Sequence, residues 1–110
     1  MEKNQFIQII TTVDEKEIAE KIAKKVVEKR MVACAQIIGP IKSIYWWKEK
    51  IEESEEWMVV MKSKKEFFKK VEKVIRDIHP YEVPEIIAFP VIEGYEEYLK
   101  WLDEEIGGEK

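Results

Sequence analysis

Two stretches of helical period, each standing between apolar β-branched runs, constrain this chain more than any other feature. Residues 6–12 (Phe-Ile-Gln-Ile-Ile-Thr-Thr) predict a first strand. Asp14 follows as a predicted helix N-cap, with Glu17 three positions on to close a capping box. Ile18, Ala19, Ile22, Ala23, Val26 and Val27 then recur at helical spacing, so this helix is predicted to run to about Arg30. Residues 31–38 predict a second strand, interrupted at Gly39-Pro40 and resumed through Ile41, Ile44, Tyr45, Trp46 and Trp47. Residues 48–56 are almost entirely charged and predict a hairpin end, from which residues 57–61 return as a third strand. Ser63 with Glu66 predicts a second capping box, opening a helix with the core face Phe67, Val71, Val74, Ile75 and Ile78. Pro80 stops it. Residues 85–92 give a last strand, with Pro84 and Pro90 hinting at an edge, and a final helix from about Tyr95 ends at Gly107-Gly108.

The order β-α-β-β-α-β plus a terminal helix predicts an α+β, ferredoxin-like sandwich, four antiparallel strands with two helices on one face. A chain of 110 residues suits a single domain over 1–110, and an apolar share of 45% supplies a core and rules out intrinsic disorder. No apolar run approaches the roughly 18–20 residues that span a bilayer, so no membrane partner is expected. Residues 1–5 lack the pattern of a signal peptide, and a cytoplasmic address is expected. A net charge of −4 argues against phosphate backbones, so nucleic acid is not an expected partner either. Charged residues make up 38%, the basic ones nearly all Lys, with Asn4 and three Gln as the amides. That composition predicts a heat-stable protein.

In this plan one sheet face is left without helices, and its strands ought to alternate. They do not. Ile44-Tyr45-Trp46-Trp47, residues 57–61 and Ile86-Ile87-Ala88-Phe89 are apolar on both faces, the pattern of strands buried on both sides. One terminal helix cannot cover four strands, so the chain is expected to self-associate, with Tyr45, Trp46, Trp47 and Trp57 at the interface.

Residues 32–38 (Val-Ala-Cys-Ala-Gln-Ile-Ile), residues 41–47 and His79-Pro80-Tyr81-Glu82-Val83-Pro84-Glu85-Ile86 resemble the CutA family of divalent-cation tolerance proteins. Tyr98-Leu99-Lys100-Trp101-Leu102 is similar to that family's C-terminal helix. The resemblance implies a homotrimer assembled through long β-hairpins, in an architecture like that of the PII signalling proteins. It also implies a non-enzymatic role in tolerance of divalent metal, copper above all. Some members bind copper through a His at the position of His79; the Cys that helps in bacterial relatives aligns with Ile10 here. Members often carry Gly where this chain has Glu49.

His79 is the only histidine, and imidazole suits copper(II) or another divalent cation. Glu82 and Glu85 follow within six residues and complete a candidate metal set, with no obligatory cofactor expected. The alternative is that His79 caps the end of the second helix. Cys34 reads as a buried, inert thiol or a further ligand. The acidic run from Glu49 to Glu56 reads as a solvated tip or a hard-cation site, and the tryptophans as packing rather than a base-stacking platform. One His and two Arg leave few candidates for general-base or phosphate chemistry, so no enzymatic activity is expected. The alternative function, which the PII-like architecture implied by the resemblance would allow, is a small-molecule sensor with an inter-subunit cleft lined by Lys42, Tyr81, Glu82 and Trp101.

Overall fold

A computed structural model describes residues 5–107. The elements run β1 (Phe6–Val13), α1 (Lys16–Glu28), β2 (Val32–Trp47), β3 (Lys50–Lys64), α2 (Phe68–Ile78), β4 (Ile86–Pro90) and α3 (Glu96–Glu105). The sheet order is β2-β3-β1-β4, and every neighbouring pair is antiparallel. This is the expected ferredoxin-like plan.

The helical period explains the core. Ala19, Ile22, Ala23 and Val26 of α1, with Val71 and Ile75 of α2, pack on one sheet face against Ile7, Ile9, Val13, Val59 and Met61. Each fully buried Ile or Val contributes roughly 1.5–3 kcal/mol. The other face carries Ile10 opposite both Val60 and Ile87, with Phe89 further along β4. A second, smaller core forms where Leu102 of α3 and Ile106 just after it lie on Phe6, with Phe67, Val91 and Leu99 around them. Phe6 shares the face of Ile10 by alternation, so α3 covers one end of the second face and leaves Ile87 42% and Phe89 50% exposed.

Several local expectations are corrected. Asp14 is not the cap of α1: the N-cap is Glu15, in extended backbone, and no side chain bonds the helix end. The helix stops at Glu28, and Arg30 at φ 56° turns the chain into β2. Ser63 does not open a helix. It lies inside β3, opposite Ile7, where its hydroxyl donates to the Met31 carbonyl at 2.6 Å, and a 3₁₀ turn over Lys65–Phe67 precedes α2. The last strand is shorter than residues 85–92, and Gly108 lies outside the described residues.

The largest difference is the hairpin. Only Lys48 and Glu49 form its turn, and β3 begins at Lys50 within the charged run. As far as Glu55 the run alternates on a ribbon wet on both sides in a single chain, so charge does not end the strand. β1 pairs with β3 only as far as Val13 opposite Trp57. Beyond that point Ile41 to Trp47 and Lys50 to Glu56 pair with each other alone, as a two-stranded arm. At its root, the register slips between Ile38 and Ile41. Gly39 lies there against the Trp57 indole, and a Cβ added to it would meet Trp57 Cδ1 at 2.5 Å.

Candidate functional site

The segment after α2 runs past the end of β1, and His79 fixes it there. The side chain is buried, 8% exposed. Its Nε2–H donates to the Thr12 carbonyl at 2.7 Å, and its Nδ1 accepts the Tyr81 backbone N–H at 3.2 Å. A carbonyl only accepts and an amide N–H only donates, which assigns the neutral tautomer with its proton on Nε2. The helix-cap alternative is therefore met in altered form: the imidazole joins the end of α2 to β1 rather than to the last carbonyls of α2.

This anchoring aims Tyr81 across to the root of the arm, where its hydroxyl donates to Glu56 Oε2 at 2.6 Å. Burial, the bond to Glu56 and the charge of that carboxylate push the Tyr81 phenol well above its usual value. Glu56 is 4% exposed. Between the arm and the segment carrying Tyr81, Glu82 and Glu85 lies a cleft of about 860 Å³. Tyr45, Trp46 and Trp47 line it from the arm, with Ser43 and Thr12 at its polar edge. The Thr12 hydroxyl makes a long bond of 3.5 Å to Glu85 Oε1.

The structure thus brings Tyr81, Glu82 and Glu85 together with Tyr45, Trp46 and Trp47. It does not bring in Lys42 or Trp101. Lys42 points into a separate shallow groove and pairs with Glu53 at 3.6 Å. Trp101 stacks on Tyr98 on α3 at 5.7 Å. Trp57, expected at a subunit interface, is partly buried and packs against the core of the chain. Cys34 is half-buried, its sulfur 3.7 Å from the Tyr98 hydroxyl. Burial, then the contact with Cys34, pushes the Tyr98 phenol up to about 12. Glu56 and Thr12 were not foreseen. Glu56 looked like one more solvated acid, and the signal for it was its place beside Trp57, where the charged run meets the sheet.

A divalent cation does not fit at His79. An imidazole binds metal through a free nitrogen lone pair, and here Nε2 holds a proton and the Nδ1 pair is taken. Among the described residues no three His, Cys, Asp or Glu side chains stand together as a metal-holding group, so Glu82 and Glu85 do not complete a set with it. Among the described residues, no helix is long and apolar enough to cross a membrane.

Residues 7–105 match the family model described as CutA1 divalent ion tolerance protein. The divalent-cation tolerance protein CutA of Thermus thermophilus is 40% identical over 99 residues, covering 90% of this chain and 96% of that protein. Protein CutA of Mus musculus is 44% identical over 93 residues, 84% of this chain but 52% of its own length, so this chain spans about half of the mouse relative. Among solved structures, Cut A1 from Thermus thermophilus superposes with a TM-score of 0.90 at 39% identity, covering 93% of this chain and 99% of that one. CutA1 from Shewanella sp. SIB1 gives 0.91 at 36%, covering 97% and 100%. The match takes in both halves of the sheet, all three helices and the segment that frames the cleft, and on that extent the chain belongs to the CutA1 divalent ion tolerance family.

Proposed function

We propose that this protein serves divalent-cation tolerance as a homotrimer that binds rather than catalyses, and that its binding site is the cleft between the arm and the segment after α2. The observation that carries the assembly is the arm. Two strands without a third are marginal in water. This pair presents Ile44, Trp46 and Ile51 at 63%, 71% and 61% exposure, with Trp46 directly opposite Ile51 on one face. Burying Trp46 alone against a second copy contributes roughly 1.5–3 kcal/mol. Ile87 and Phe89, on the uncovered face of the sheet, offer such an arm an apolar seat.

Binding is favoured over catalysis because His79, the one side chain suited to proton transfer near neutral pH, is committed to two backbone partners. Small-molecule sensing is favoured over a bound metal ion because the cleft has the volume and aromatic walls of a ligand site. The names of the relatives tie them to divalent cations, and on this reading the tie runs through a ligand rather than through copper(II) at His79. Light scattering tests the assembly: the mass should be three times 13.2 kDa. The Trp46→Glu variant should dissociate or unfold, since an unpaired charge in an interface costs about 3–5 kcal/mol. A wild-type monomer at micromolar concentration would overturn the reading.

A further inference from the structure

The charge balance of the cleft is one-sided. Three carboxylates line it, those of Glu56, Glu82 and Glu85, and among the described residues no Lys, Arg or His does. Four aromatic side chains, Tyr45, Trp46, Trp47 and Tyr81, stand among them. Glu56 is the telling member. A carboxylate this far from water ordinarily has a cation beside it. Yet Glu56 forms no ion pair among the described residues, and its contact is the hydroxyl of Tyr81.

We propose that the cleft binds a small organic cation carrying an amine, quaternary ammonium or guanidinium group. The proposal rests on the reading of the cleft as a ligand site and adds the charge and class of the ligand. A bare metal ion needs several oxygen or nitrogen donors converging on one point, which the described residues do not supply. An anion would meet three acids and no base. An organic cation uses both features of the wall: aromatic faces attract positive charge through their quadrupole, and the buried carboxylate supplies the counter-charge. The cleft, at about 860 Å³, falls within the range of roughly 300–1,000 Å³ typical of small-molecule sites. Tyr81 holds Glu56 in place, and His79 holds Tyr81.

The test uses the assembled, full-length protein. Choline, putrescine and guanidinium are titrated beside glucose and citrate, with calorimetry and the fluorescence of the cleft tryptophans as readouts. The three cations should bind saturably, and the neutral and anionic probes should not. Glu56→Gln should weaken the cations at least tenfold, and Glu82→Gln or Glu85→Gln, at exposed positions that do not threaten folding, several-fold. Glu104→Gln, exposed on α3, should change nothing. Glucose or citrate binding as well as the cations would overturn the charge assignment while leaving a ligand cleft in place. Binding by none of the five probes would overturn the cleft reading and the proposal with it. Cation binding that breaks the assembly apart would identify the natural occupant as a basic side chain of a neighbouring copy, and would overturn the free ligand.

Discussion

His79 shows how one side chain can be legible as important and yet do a different job from the one its chemistry suggests. Its isolation in the sequence and the prolines around it marked the segment. Spacing could not show that both ring nitrogens meet backbone groups, because Thr12 is 67 positions away. His79→Ala strands a carbonyl and an amide, and should cost about 2–4 kcal/mol, read by chemical denaturation. Copper(II) should bind wild type and variant with the same affinity at neutral pH, measured by calorimetry. A tenfold loss in the variant would return the metal to His79. Tyr98 gives a pH-dependent counterpart. Burial and the contact with Cys34 push its phenol up to about 12 from the ordinary tyrosine value of 10.0, so the folded state holds the proton longer. Its contribution to stability is complete below about pH 10 and lost as the pH rises through about 12. Tyr98→Phe should flatten the fall of stability in that window.

Among the elements, the hairpin tip carries the clearest local strain. Lys48 and Glu49 have φ of 49° and 66°, a two-residue turn with both centres left-handed. Asn-Gly suits such a turn, and a side chain in this conformation costs about 1–2 kcal/mol. Glu49→Gly should therefore stabilise the protein by about 1 kcal/mol, seen as a higher midpoint in denaturant. Element order and type were legible throughout, because periods of 2 and 3.6 survive in strands and helices that share a core. The arm was not. A ribbon that meets no core within its own subunit imposes no period on residues 50–56, so a charged run reads as loop. The capping boxes failed for a related reason: Ser63 is more useful to the sheet, bonding the Met31 carbonyl, than to a helix that starts five residues later.

For the whole molecule, charge alone gives little. The ion pair Lys73–Asp77 is largely exposed, as is the lysine of Lys69–Glu72, and such surface pairs contribute about 0–1 kcal/mol each. Lys64–Asp103, at 2.6 Å with the lysine 13% exposed, fastens α3 to β3 more firmly. Arg30 adds to the hold at the same C-terminal end of α3, bonding the Glu105 carbonyl and carboxylate while its own carbonyl accepts the Gly107 N–H. Heat resistance is expected to come chiefly from assembly. Calorimetry should show unfolding above about 90 °C. The midpoint should rise with protein concentration, as it must when folding and association are linked. A concentration-independent midpoint near 50 °C would separate heat resistance from assembly.

The arm extends beyond β1 and meets no third strand among the described residues. In the proposed trimer it would complete a neighbour rather than its own subunit, and that has a genetic consequence. A copy with a damaged arm still has an intact core, so it would fold far enough to be recruited and then fail the copy beside it. With normal and damaged copies made in equal amounts and mixed at random, only about one ring in eight would be wholly normal. Arm mutations would therefore be dominant, whereas core mutations that remove the chain before it assembles would be recessive.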